Sequence, residues 1–265
     1  MSKIILPQLP GNLGGLQGEE GRINIESILA ANADQTMTSH VNLILASLNA
    51  LMWSHNRSQG KQGESETALS GLNVRLFNST AASLKLLLSG YYSVAVASMR
   101  DILEVVFLLD FLESNRNEIA EWISKPDQRK FRPVAIREWL DSRDGKNGKE
   151  RARLYKLLCN YGAHATYEGM MLLNAGNNLM SIGPFYNEKF LSHLLPDLAR
   201  HLPYAILTRW KFETADCVED FQHKSAFLSE SSKWWKTHSQ PEFDDAEIVE
   251  IGLIVDALGR TFSRT

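Results

Sequence analysis

The sequence predicts an all-α protein, a bundle of about eight or nine helices. Apolar residues recur at intervals of three and four along most of the chain, and this spacing places them on one face of a helix. One such stripe contains Val41, Ile44, Leu45, Leu48, Leu51 and Met52. No segment alternates apolar and polar residues in the way that a half-buried strand requires. With 265 residues and 44% hydrophobic composition, the chain is long enough to bury a large core.

The N-terminal residues have a different composition from the rest. Residues 1–22 hold five of the 17 glycines and two of the eight prolines, which predicts an extended arm. Residues 23–265 are predicted to form a single helical domain. Its core is expected at about 67–180, and its C-terminal helices over 187–262.

The central helix of the bundle is expected at Tyr91–Leu112, which is apolar on nearly all sides, because such a helix must be buried. A long helical region is predicted over 187–223, with a kink or a break at Pro196 and Pro203. The other predicted helices cover 69–88, 118–123, 133–142, 149–164, 167–173, 225–236 and 245–262.

Charge is distributed unevenly along the chain. The formal net charge is −3, which argues against a protein that coats nucleic acid over its whole surface. However, Ser114–Lys156 holds 12 Lys and Arg against 7 Asp and Glu, and Trp210–Asp256 holds 4 against 11. The basic segment is either a face for RNA, a nucleotide or an acidic protein, or a solvated face. In the second case, the acidic segment neutralises it within the molecule or across a homo-oligomer.

The cellular location follows from cysteine content and from apolar segments. Two cysteines, Cys159 and Cys217, cannot form a disulfide framework and suit a reducing compartment. The most apolar stretch, 102–112, is interrupted by Glu104 and Asp110 and is too short to span a bilayer. We therefore predict a cytoplasmic protein without a membrane segment.

Arg100 and Glu104 form the first candidate site. They are four residues apart on the central helix, among apolar residues, so they share one helix face and are expected to be partly buried. A buried ion pair is costly and often has a specific task. Either Arg100 ties helices together, or it binds a phosphate while Glu104 orients it.

The segment 154–166 supplies the second candidate site. Asn160, Tyr161 and His164 lie on one helix face or at its edge, and the small Gly162 beside them allows another helix to approach closely. His164 is suited to general acid/base catalysis near neutral pH, and Asn160 and Tyr161 to binding a substrate. The alternative is that His164 is a hydrogen-bonded packing residue.

The arrangement of an Arg-x-x-x-Glu core helix and a later Asn-Tyr-x-x-His run resembles an uncharacterised bacterial helical family reminiscent of HEPN domains. The resemblance covers about residues 85–170. HEPN ribonucleases carry an Arg-x(4–6)-His motif, commonly beginning Arg-Asn. Asn160 and His164 match its Asn and His, while Cys159 stands at the Arg position. The resemblance implies a HEPN-like core and a role in bacterial stress or defence.

Two functions remain open at this stage. The first is a non-catalytic module that binds a protein, a nucleotide or RNA. The alternative is a metal-independent endoribonuclease, in which His164 is the acid/base, Arg100 stabilises charge on the phosphate, and Glu104 and Asn160 orient the reacting groups. Whether the protein is an enzyme is left undecided.

No cofactor and no metal are predicted. An alternative set of metal ligands, Glu213, Asp216, Asp220 and His223, lies on one predicted helical face. A solvated face is the favoured interpretation, because a bundle metal centre draws matching ligands from several helices.

Overall fold

A computed structural model describes residues 13–60, 63–146, 150–175, 180–213 and 217–238. Within these residues 83% of positions are helical and none belongs to a strand, which confirms the predicted all-α class. The α-helices, in chain order, are α1 (Leu13–Ala33), α2 (Gln35–Ser58), α3 (Glu64–Leu88), α4 (Tyr92–Ser114), α5 (Ile119–Ser124), α6 (Pro133–Arg143), α7 (Glu150–Leu158), α8 (Tyr167–Met171), α9 (Glu188–Ala199), α10 (Leu202–Trp210) and α11 (Val218–His238).

Helix α4 lies at the centre of the bundle. It packs along α3 and also contacts α6, α7, α9 and α10. Its residues are apolar on nearly every side, and a helix of that composition is stable only when other elements cover it. One buried apolar cluster joins residues of helices from α1 to α11. The assignment of residues 23–265 to a single domain stays a prediction.

The N-terminal segment is helical over part of its length. Helix α1 begins at Leu13, so the prediction of an extended arm is wrong for residues 13–22. Ile23, Ser27 and Ala31, each four residues apart, are buried against the bundle. Burial of this face stabilises the helix despite its glycines, which lower intrinsic helix propensity. Residues 1–12 of the predicted arm lie outside the described residues.

The helix predicted over 149–164 ends early. After α7 the chain forms a π-helical turn, Cys159–Ala163, and His164 is extended with φ −107° and ψ 148°. Gly162 lies directly against α4, where an added Cβ would be 2.8 Å from the carbonyl carbon of Val96. The predicted close approach at Gly162 is confirmed, but the contact lies inside a π-turn and not in a regular helix.

The prolines act differently in the C-terminal half. Helix α9 ends at Ala199 and α10 begins at Leu202, so the helical region is interrupted there. Pro203 lies in the first turn of α10, where its lack of a backbone N–H breaks no helical hydrogen bond. Pro196 is accommodated inside α9. Helix α11 is longer than the predicted 225–236, and the helix predicted over 245–262 lies outside the described residues. In the part of the chain that the structure describes, no helix is long and apolar enough to cross a membrane.

Candidate functional site

Arg100 and Glu104 lie on the face of α4 that meets α7. Arg100 Nε is 3.8 Å from Glu104 Oε1, and the two side chains are 31% and 24% exposed. The hydroxyl of Tyr155, on α7, donates a hydrogen bond of 2.5 Å to the same Glu104 oxygen. The pair is therefore partly buried, as its place on an apolar helix predicts, and the Glu104 carboxylate is held from two sides.

Tyr155 connects this pair to a second arginine. Burial and the hydrogen bond to Glu104 raise the pKa of Tyr155 to about 12, so its hydroxyl stays a donor near neutral pH. The guanidinium of Arg137, on α6, stacks on the Tyr155 ring at 3.9 Å from the ring centroid. Arg100 lies farther out, at 6.0 Å from the same centroid. Both contacts have the geometry of a cation–π interaction.

Arg137 is a buried cation that has no anionic partner among the described residues. It is 9% exposed, and its Nε and Nη1 atoms are enclosed without a hydrogen bond to any described residue. A buried charge is normally paired, because removing an ion from water is expensive. Arg137 therefore keeps its hydrogen-bonding donors uncommitted.

A cleft of about 150 Å³ lies beside Arg137, between α3, α4 and α6. Glu104 and Arg75 also line it, but Arg75 is neutralised by Asp101, with Nε at 3.0 and 3.1 Å from the two carboxylate oxygens. The rest of the wall is mainly apolar and aromatic, and it includes Val105, Leu108, Trp122, Phe131 and Ile136. The arrangement combines one unpaired cation with a mostly apolar enclosure.

His164 lies apart from this group. Its imidazole is exposed, and no hydrogen bond or ion pair joins it to another described residue. Tyr161 packs against the core. The backbone oxygen of Asn160 accepts a hydrogen bond from Thr166, the residue that caps α8. Acid/base catalysis by His164 and substrate binding by Asn160 and Tyr161 stay predictions.

Cys159, which stands at the arginine position of the HEPN motif, is buried next to Arg100. Desolvation disfavours the charged form of Arg100, but attraction by the Glu104 carboxylate outweighs it and raises the pKa of Arg100. Arg100 therefore pairs with Glu104 by charge alone, since its Nε donates no hydrogen bond to a described residue.

The cations of the basic segment 114–156 fall into two main groups. Some form ion pairs with carboxylates: Arg116, Lys130, Arg143, Lys146 and Arg151. Others are exposed and pair with no described residue: Lys125, Arg129, Arg132, Arg153 and Lys156. Of the remaining two, Arg137 is buried and Lys149 lies outside the described residues. Internal pairing thus neutralises part of the charge that the sequence suggests.

The alternative metal ligands are engaged otherwise. Lys224 Nζ lies 3.4 Å from Glu213 and 3.1 Å from Asp220, and His223 stacks on Trp53 at 3.8 Å between ring centroids. Asp220 is 1% exposed, so the solvated-face interpretation is wrong for it. Among the described residues no cluster of three or more metal-binding side chains occurs, and Asp216 lies outside them.

Sequence reasoning missed Arg137 and Tyr155. In the sequence Arg137 was only one of the cations of the basic segment. Its position next to Ile136 and three residues before Leu140, which form the buried face of α6, was the signal that could have predicted its burial. The contact between Tyr155 and Glu104 spans 51 residues, and no local pattern in the sequence marks it.

Comparisons of the chain with protein-family models, with curated proteins and with solved structures found no match. The fold and the site define the protein as an all-α bundle with a cleft beside its central helix, lined in part by Arg75 and Arg137. The HEPN-like relationship stays a prediction.

Proposed function

We propose that the protein is an RNA-binding interaction module. The observation that carries the proposal is a corner of the bundle between α5 and α6, where Lys125, Arg129 and Arg132 are exposed and pair with no described residue. Exposed cations attract phosphates and release the counter-ions bound to them, which drives association with nucleic acid.

Lys130 lies in the same segment as Lys125, Arg129 and Arg132 but differs from them in being paired with carboxylates. Lys130 forms ion pairs with Glu118 and Glu121, and its charge is therefore cancelled locally. With Asp127 and the two glutamates that face Lys130, the corner holds three carboxylates against four cations. The corner keeps a net positive charge although the whole chain is slightly acidic.

Aromatic side chains lie next to this basic corner. Trp122 is partly exposed and lines the adjacent cleft, whereas Phe131, between Lys130 and Arg132 in the chain, is only 6% exposed and packs on Phe111. Proteins that bind single-stranded nucleic acid combine a positively charged surface with aromatic rings on which bases stack. The basic corner supplies the charge, and the partly exposed Trp122 beside it supplies one ring on which a base can stack, which supports a single strand as the form of RNA that is bound.

The test measures binding of fluorescein-labelled oligouridine by anisotropy over a series of salt concentrations. Changing Lys125, Arg129 and Arg132 together to Ala should weaken binding. It should also lower the slope of log K against log salt by about 2, because each neutralised phosphate of a single strand contributes about 0.7.

A matched control replaces Lys85, Lys189 and Lys236 by Ala, since these three are exposed on other helices and form no ion pair with a described residue. Binding and its salt slope should stay near the wild-type values in this control. Equal losses in both triple variants, or no binding of oligouridine by the wild type, would refute the proposal.

The endoribonuclease alternative is not what we propose, because no hydrogen bond or ring contact among the described residues joins the side chains of His164 and Arg100. The same labelled RNA separates binding from cleavage. Under the binding proposal, wild type and His164→Ala leave the RNA intact and bind it equally. Cleavage that the wild type performs and His164→Ala does not would favour the ribonuclease instead.

A further inference from the structure

Arg137 differs from the other buried cations of the described chain. Arg209 Nη1 lies 3.2 Å from Glu213, and Lys224 Nζ lies 3.1 Å from Asp220. Arg137 has no carboxylate within ion-pair distance and no hydrogen bond from its enclosed Nε and Nη1 atoms. Leaving such donors unsatisfied destabilises the fold. A role of Arg137 in binding a ligand would explain why a buried, unpaired arginine stands at this position.

The surroundings of Arg137 hold it in place without neutralising it. The Tyr155 ring lies 3.9 Å from its guanidinium and sets its plane. The nearest carboxylate that lines the cleft, Glu104, accepts a hydrogen bond from Tyr155 and lies 3.8 Å from Arg100. The positive charge of Arg137 therefore remains available to an anion that enters the cleft.

The size and walls of the cleft restrict what that anion can be. Its volume is about 150 Å³, below the roughly 300 Å³ at which pockets for drug-sized ligands begin. A cavity of about 150 Å³ with apolar walls holds one benzene ring. Trp122 and Phe131 on the wall offer aromatic surfaces for such a ring.

We infer that the Arg137 cleft is a binding site for a single-ring organic anion. The ring lies against the apolar wall, and its carboxylate or phosphate accepts a hydrogen bond from Nη2 of Arg137, the guanidinium nitrogen that is not enclosed. A charge-assisted hydrogen bond in an enclosed site is among the stronger polar contacts. The inference does not depend on RNA binding at the basic corner, since it rests on a different cation.

Isothermal titration calorimetry on the full chain tests the inference with three probes. Benzoate and phenyl phosphate carry the anionic group on one ring, and their relative affinities show whether the site prefers a carboxylate or a phosphate. Benzamide has the same ring and no charge. At least one of the two anions should bind about tenfold or more tightly than benzamide, as expected for a hydrogen bond to a charged group.

Two arginines that line the same cleft provide a matched pair of variants. Arg137→Gln should weaken binding of the anion about tenfold or more. Arg75→Gln should leave it nearly unchanged, because Arg75 is already neutralised by Asp101. Unchanged affinity in Arg137→Gln, equal binding of benzamide and the anions, or no binding of either anion by the wild type would overturn the inference.

A second variant keeps the test decisive if Arg137→Gln does not fold. Leu108 lies on the wall of the cleft and is partly exposed, so Leu108→Trp can fill the cleft and leave Arg137 in place. Loss of anion binding in Leu108→Trp supports the site, and wild-type affinity in it refutes the site. The two proposals stay distinguishable, because Lys125, Arg129 and Arg132, which the oligouridine test changes, do not line the cleft.

Discussion

Helix α6 carries two arginines, Arg137 and Arg143, that meet opposite surroundings. Arg143 donates two hydrogen bonds of 2.9 Å to Asp110 on α4, and the hydroxyl of Tyr204 on α10 donates to the same carboxylate. Arg137, less than two turns away on the same helix, reaches no carboxylate. Two residues of one type on one helix thus differ entirely in pairing.

The difference separates charges that stabilise the bundle from charges that stay available for binding. Asp110 is 1% exposed and tolerable there only because its partners satisfy its oxygens. Arg151 adds a pair with Asp141 at 2.8 Å, so α4, α6, α7 and α10 are tied together by charge. Arg137 makes no such tie, and its burial costs stability.

The largest effect is expected from Asp110→Ala. This change leaves Arg143 and Tyr204 without their shared acceptor, and breaking a buried ion pair from one side costs about 3 kcal/mol of unfolding free energy. Urea denaturation followed by circular dichroism measures it. Asp127→Ala, at an exposed carboxylate, should change the free energy by less than about 0.5 kcal/mol. Equal values for the two variants would show that the pairing of Asp110 does not stabilise the bundle.

A second prediction concerns His40, which avoids an unpaired buried charge by staying neutral. Burial, together with His238 and Arg200, lowers its pKa to about 4, and its Nδ1 accepts a hydrogen bond of 2.8 Å from Trp234. The unfolded chain therefore binds this proton at higher pH than the folded one, and stability falls as pH drops from about 6.5 toward about 4.

The measurement compares unfolding free energies at about pH 6 and about pH 5. Wild type should lose about 1 kcal/mol more than His40→Gln over this interval, because one side chain no longer titrates in the variant. His193→Gln, at an exposed histidine, serves as the control and should follow the wild type. Identical pH dependence in wild type and His40→Gln would contradict the prediction.

The smallest effect is expected from Arg137→Met. The methionine keeps most of the apolar stem and removes a buried charge that lacks a partner, so the free energy of unfolding should stay within about 1 kcal/mol of wild type or rise. Urea denaturation again measures it. A loss comparable to that of Asp110→Ala would mean that Arg137 is a structural residue, and the contrast between the two arginines would fail.

The all-α class and the central place of α4 could be predicted because both depend on local apolar periodicity. Partial burial of Arg100 and Glu104 could be predicted for the same reason, since a spacing of four puts them on one face of an apolar helix. The start of α1 could not, because its glycines suggest a loop and only burial of Ile23 against the bundle favours a helix. The turn before His164 depends likewise on how closely Gly162 meets α4.

The candidate site was predictable only in part. Glu104 was identified, but its partner Tyr155 lies 51 residues away in the chain, and the importance of Arg137 follows from an absence of partners that only spatial neighbours define. Among the cations of the segment 114–156, composition treats Arg129 and Lys130 alike. The structure pairs Lys130 with Glu118 and Glu121 and leaves Arg129 exposed.

Most helices and the charges that each carries could be predicted from the chain, because backbone geometry and apolar spacing act over a few residues. Which of those charges cancel depends on the packing of the helices, since an ion pair such as Arg143 and Asp110 joins residues 33 apart. For the same reason, the cleft beside the unpaired Arg137 could not be predicted from any one segment, because residues of several packed helices form it.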